Sequence, residues 1–199
     1  MITHASIFSQ LLTIFNRTEF ASIVKEFRSD YQSKGFNSWS QFVCMIFCHL
    51  AQAKSLREIC NGLRCCLGKL KHLGVVGFPN KSTLSYANSN RPNGLYESLF
   101  YKTLEKVQVL APGYKRKKGK FRFRNRLFSI DSTIMDLCLN LFPWAKFRST
   151  KGAVKLHMLL DHEGYFPSYA LITEGKVADI HFARLLDLPQ DSIVAMDRG

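Results

Sequence analysis

Through roughly the first hundred residues, apolar side chains recur every three or four positions; beyond Arg126 they gather into short β-prone runs. Trp39, Phe42, Val43, Ile46, Phe47 and Leu50 trace one face of an amphipathic helix, with Ser38 and Gln41 as its capping box. Ser55 and Glu58 open the next helix in the same way, and Leu56, Ile59 and Leu63 form its buried stripe. Gly62 weakens that helix and LGKLKHLG ends it. STLSYANSNR predicts a third helix, with Ser82 as N-cap and Pro92 closing it. Leu95, Leu99, Phe100, Leu104 and Val107 mark a longer one, terminated by Ala111–Gly113.

At Tyr114 the character changes. YKRKKGKFRFRNR alternates base with aromatic or small residue, and eight cationic side chains fall between Lys115 and Arg126. RLFSIDST, AVKLHMLLD and SYALITEG then read as strands, with a turn at HEGYFP. ADIHFARLLDL predicts one helix before a last strand in SIVAMDRG. The fold class is therefore α+β or α/β: a helical region over 1–111, a basic linker over 112–126 and a mixed β-sheet over 127–199.

Composition narrows the function. An apolar share of 46% and an aromatic share of 13% belong to a folded chain. The net charge of +13 points to a polyanionic partner, by default nucleic acid. Six cysteines without a CxxC pair or a secretory leader predict reduced, packed thiols in a cytoplasmic protein. FVCMIFCHLA, the longest apolar run, is too short to span a bilayer. Glycine-rich phosphate loops, GxSxG strings and zinc-ligand spacings do not occur.

Two acids stand out. Asp131 and Asp197 each follow an apolar β-prone run, at the tail of the strand. In a β-β-β-α-β layout the last strand returns through a helix and can lie parallel to the first and beside it. Neighbouring strand ends are about 5 Å apart. Two carboxylates at that separation favour a divalent cation between them. The competing reading makes Asp131 a cap and Asp197 a turn former. Lys155 and His157 alternate on one strand and share a face; they either serve DNA phosphate and a ligand or are a surface lysine and a packed histidine. Arg198 is a candidate phosphate contact, and Asp161, His162 and Glu163 read as a hairpin loop.

FSIDST, FPWAKFRSTKGAVKLHMLLDHEGYFPSYALITEGKVAD and SIVAMDRG resemble the catalytic core of bacterial insertion-sequence transposases of the DDE type. The nearest group is the one founded on insertion sequence number four. KGFNSWSQFVCMIFCHLAQAKSLREIC and KSTLSYANSNRP resemble the N-terminal region that accompanies this core. The resemblance implies an RNase H-like fold, here incomplete, with Asp131 and Asp197 as the first two acids of a triad that holds Mg²⁺ or Mn²⁺. It implies binding of the element's terminal inverted repeats and of target DNA, a homodimer that pairs two ends, and a bacterial, nucleoid-associated setting. The family's third acid, a glutamate on a later helix, has no counterpart among these residues. Glu174, on a turn, does not replace it. The expectation is a shortened transposase that does not cut DNA unaided; the alternative is a non-catalytic DNA-binding fragment that occupies element ends and inhibits the full-length enzyme.

DNA contacts away from the acids fall in two places. Ser82, Thr83, Asn88 and Arg91 line the second helix of a helix-turn-helix-like pair, Ser55–Cys66 with Ser82–Arg91, against the alternative of a solvated polar face. Lys115, Arg116, Lys117, Lys118, Lys120, Arg122, Arg124 and Arg126 form a basic run able to neutralise several phosphates, against the alternative of a solvated linker.

Overall fold

Arg17–Glu26 and Ser38–Leu50 begin at asparagines whose side chains take up free backbone N–H groups, and these caps set the start of the helical half. A computed structural model of the protein describes residues 7–65, 69–75, 77, 79–110, 123, 125–137, 146–148 and 151–197. The helices are α1 (Ile7–Leu12), α2 (Arg17–Glu26), α3 (Ser38–Leu50), α4 (Leu56–Arg64), α5 (Lys81–Asn90) and α6 (Gly94–Leu110), with a 3₁₀ turn at Lys69–Leu73. The chain divides into two units, Met1–Thr103 and Leu104–Gly199, the division falling inside α6 and ahead of the boundary expected near residue 112.

The helical unit closes on one core. Phe20, Ile23, Trp39, Phe42, Val43, Ile59, Leu63, Leu84, Leu95 and Leu99 are buried together. Phe20 meets Trp39 edge-on at 5.1 Å, and the Trp39 indole N–H donates to the Leu73 carbonyl at 2.7 Å. Gly74 follows at φ 74°, and a Cβ there would lie 1.6 Å from Arg17 Nη1, whose guanidinium stacks on Trp39 at 4.6 Å. Glycine is favoured there, since a side chain would be strained at that φ and would push the Arg17 guanidinium aside. Cys44, Cys48, Cys60 and Cys65 are free thiols, and burial with Cys60 nearby pushes Cys44 up to about 12.

Two expected caps shift. The N-cap of α3 is Asn37, which accepts from Ser40 N at 2.8 Å, whereas Ser38 is drawn into the core by Asp30 and Ser29. The N-cap position of α5 is Asn80, and Ser82 lies within the first turn. At α4 half of the expected box forms: Ser55 Oγ accepts from Glu58 N at 3.2 Å, but the Glu58 carboxylate accepts from Lys54 N, one residue before the cap, at 2.9 Å.

The second unit is a five-stranded mixed sheet: β1 (Leu127–Leu137), β2 (Lys146–Arg148), β3 (Lys151–Asp161), β4 (Phe166–Glu174) and β5 (Ile193–Met196). β1 and β4 flank β3 antiparallel, β2 pairs the start of β3, and β5 pairs β1 in parallel. The β-β-β-α-β reading omitted β2, which is only three residues long. The helix before β5 is also shorter than expected: α7 covers Asp179–Ala183. Phe128, Ile130, Leu159 and Phe182 form the core on the α7 side, with Leu171, Leu186 and Leu188 packed against it.

Candidate functional site: an acid pair on one sheet face and a clamp on the other

The parallel register is Leu127 with Ile193, Phe128 with Val194, Ser129 with Ala195 and Ile130 with Met196. One step further on each strand are Asp131 and Asp197. Paired positions of parallel neighbours share a face and lie about 5 Å apart. Both residues are exposed. Asp197 follows the last residue of β5, as expected. Asp131 does not end its strand: β1 continues to Leu137 because β3 pairs with it as far as Gly152. Asp131 therefore sits mid-strand, at the point where the parallel pairing stops. Its Oδ1 accepts from Ser132 N at 2.8 Å. Among the described residues no group of three or more His, Cys, Asp and Glu side chains is placed to hold a metal ion, so the candidate centre is a pair.

Ser132, the next residue, points to the opposite face. There it meets a residue that pattern reading did not single out. Ser132 Oγ donates to Asp179 Oδ2 at 3.1 Å, while Asp179 Oδ1 receives His157 Nδ1 at 2.7 Å and Lys155 Nζ at 3.1 Å. His157 is fully buried, its Nε2 lies 2.8 Å from Thr173 Oγ1, and its ring stacks on Phe182 at 5.1 Å. Burial works against the charge on Asp179. Hydrogen bonds from Ser132 and Lys155, the Lys155 charge and the His157 bond together outweigh it and hold the carboxyl below its ordinary range.

This corrects the reading of Lys155 as a DNA contact. Its register partners are Ile134 and Thr173, which put it on the α7 face, away from Asp131, and its ammonium is committed to Asp179. Of the two readings of His157, the packed histidine holds. The signal available in the sequence was the alternation in KLH together with the acid in KVAD; it could have paired these groups, though not chosen their face.

Arg91 is also corrected. It is only 11% exposed, ion-paired with Asp30 at 3.3 Å, and its guanidinium donates to Gln41 Oε1 at 2.9 Å and to the carbonyls of Ser29 and Phe36. It fastens the end of α5 to the α2–α3 connection and has little left to offer DNA. Asn88 is partly committed, its Oδ1 accepting from Gln41 at 2.7 Å. Ser82 and Thr83 are exposed on α5, which packs against α4.

Arg126 stacks on Phe128 at 5.2 Å and pairs with Asp161 at 2.5 Å, and that hydrogen bond raises its pKa further. Its charge is paired within the sheet unit, while its side chain stays 43% exposed. Asp161, His162 and Glu163 stand where β3 turns into β4, as the hairpin reading requires. Lys115, Arg116, Lys117, Lys118, Lys120, Arg122, Arg124 and Arg198 lie outside the described residues. Among those described, no helix is long and apolar enough to cross a membrane.

Residues 3–76 match the family model described as Domain of unknown function (DUF4372). The match lies within the helical unit and ends just after the Trp39–Leu73 and Gly74 contacts. No curated protein and no solved structure matches the chain.

Proposed function

We propose that the chain is of the metal-dependent DDE transposase type, the helical unit binding element ends and the sheet unit carrying two of the three acids used for strand cleavage and transfer, so that these residues do not cut DNA unaided. The observation that supports this most is the parallel β1–β5 register, which ends at Ile130 with Met196 and, carried one step further, would set Asp131 opposite Asp197. A match over residues 3–76 to a domain found in transposase-like proteins supports the same reading. The strand order, with β5 returning parallel to β1 after a helical connection, is compatible with an RNase H-like core.

The acid pair fits a hard divalent cation. Both donors are carboxylates, both are exposed, and they extend from hydrogen-bonded strands rather than from loose loops. Asp131 and Asp197 would hold Mg²⁺ or Mn²⁺. Such an ion supplies, when bound, an activated oxygen nucleophile and stabilisation of the leaving oxygen. The chain's own part is to fix two negative charges side by side at a separation that repels without a cation.

A second reading, DNA binding without chemistry, is favoured by the net charge of +13. A gel-shift assay separates the two, using duplexes that carry the element's terminal repeats and scrambled duplexes of equal length. The transposase reading expects preference for the ends, and complexes strengthened by Mn²⁺ in the wild type but not in Asp131→Asn. End preference that ignores Mn²⁺ in both proteins supports the second reading. Equal binding of both duplexes with no response to Mn²⁺ contradicts both.

A further inference from the structure

We propose that Asp179 is a positioning residue for the acid pair: by clamping α7 onto β1 and β3 it sets the register of β5 and so delivers Asp197 opposite Asp131. The proposal rests on the reading of Asp131 and Asp197 as a metal-holding pair. β5 is four residues long and, among the described strands, pairs only with β1. So short a pairing is weak by itself. It is also intolerant of error, because a slip of one residue would turn Asp197 to the other face of the sheet. Something besides the ladder must fix where β5 lies.

The segment leading into β5 is tied to the sheet at its start, its middle and its end. At the start, Asp179 takes hydrogen bonds from Ser132 on β1 and from Lys155 and His157 on β3. In the middle, Phe182 is buried against His157 and Tyr169. At the end, Asn125 Nδ2 donates to the Asp191 carbonyl at 2.8 Å, two residues before Ile193 N begins the ladder itself by donating to the Arg126 carbonyl at 2.8 Å. The first tie is made on β1 by the residue directly after Asp131. One strand therefore holds the acid on one face and the anchor of the segment that delivers its partner on the other.

The proton inventory keeps the clamp closed. Nδ1–H of His157 donates to Asp179, leaving Nε2 as acceptor for the Thr173 hydroxyl. If Nε2 is protonated as well, it donates to Thr173 Oγ1, and that hydroxyl turns to the Glu174 carbonyl at 3.2 Å. Both arrangements satisfy every member, and Asp179 accepts from His157 in each.

The test uses the 199-residue chain and its Asp179→Ala, Asp179→Asn and Ser132→Ala variants, with two measurements. Amide hydrogen exchange reads Val194–Met196 against the β3 and β4 amides, and calorimetric titration reads Mn²⁺ binding. The expected result for Asp179→Ala is a loss of protection larger at β5 than in β3 and β4, with Mn²⁺ affinity about tenfold or more weaker, as for other residues that orient metal ligands. Asp179→Asn, which keeps one acceptor, should recover part of both. Exchange at β5 unchanged from wild type overturns the proposal, as does loss spread evenly over β3, β4 and β5, which a merely structural role would give. If Asp179→Ala does not fold, Ser132→Ala carries the test: loss selective to β5 supports the clamp, and unchanged exchange overturns it. A wild-type chain that binds no Mn²⁺ sinks the acid-pair reading, and with it the positioning role, whatever the exchange at β5 shows.

Discussion

The two faces of the sheet are built from alternating residues of the same strands, yet the patch beneath α7 and the patch around Asp131 differ. On the α7 side, Phe128, Ile130, His157, Leu159 and Phe182 are buried, and the polar groups among them are bonded to one another. On the other side Asp131, Thr133 and Met135 are exposed along β1, and Ile172 on β4 is 61% exposed. The covered face spends its polar residues on holding elements together. The open face presents its acids outward. On the proposed reading of Asp131 as a metal ligand, stability and function are separated by a single step along β1, from Ser132 to Asp131, and substitutions on the two faces should behave differently.

The largest contrast is apolar. Phe182→Ala removes the ring beneath His157 and Tyr169 and should cost about 3–5 kcal/mol in urea unfolding of the sheet unit. Ile172→Ala on the open face should stay within about 0.5 kcal/mol. Comparable losses at the two positions would mean that the open face is covered after all.

Next come the acids. Asp179→Ala leaves Lys155 and His157 without their shared acceptor and should cost roughly 3 kcal/mol. Asp131→Asn should leave the unfolding midpoint nearly unchanged while removing Mn²⁺ binding. A large stability loss in Asp131→Asn would place that residue in the framework rather than in a site.

The helical unit offers the same contrast between framework and contact. Arg91→Gln should destabilise it by about 2 kcal/mol, since Asp30 and two carbonyls lose a charged donor. The salt dependence of DNA binding should not change. Replacing the bases of 115–124 with glutamine should do the reverse, leaving stability intact and flattening the salt slope by about 0.9 for each phosphate contact removed. An unchanged slope would count against the basic run as a DNA contact.

The smallest expected effect is at low pH. Asp179 titrates below its ordinary range in the folded protein, so the stability it adds is present above the unfolded value of about 3.9. That contribution is lost as pH falls through the lower folded value. Thermal unfolding between pH 5 and pH 2.5 should therefore fall less steeply in Asp179→Asn than in wild type. Parallel curves would show that the carboxylate adds nothing by being charged.

What could be read from the sequence follows from how local each determinant is. Helical periodicity, the Ser55 cap and the β-prone runs are set by neighbours three or four residues away, and the parallel placement of β5 beside β1 follows from the strand–helix–strand order. Arg91 was misassigned because its partners lie 50 to 62 residues away and nothing around Arg91 announces them. Ser38 and Asn37 are both good caps; Asp30 and Ser29 decide between them by drawing Ser38 inward. Asp179 reads as an ordinary acid in the first turn of a helix until α7 is seen against β3. Alternation showed that Lys155 and His157 share a face, but only the register with Ser132 shows that it is not the face of Asp131.

The facing acids are tested most directly by the electron paramagnetic resonance signal of free Mn²⁺ titrated with wild type, Asp131→Asn and Asp197→Asn at one pH and salt concentration. A shared site predicts that wild type removes the free-ion signal and that each single variant loses that capacity to a similar extent. Mn²⁺ uptake by both variants equal to that of wild type would contradict it.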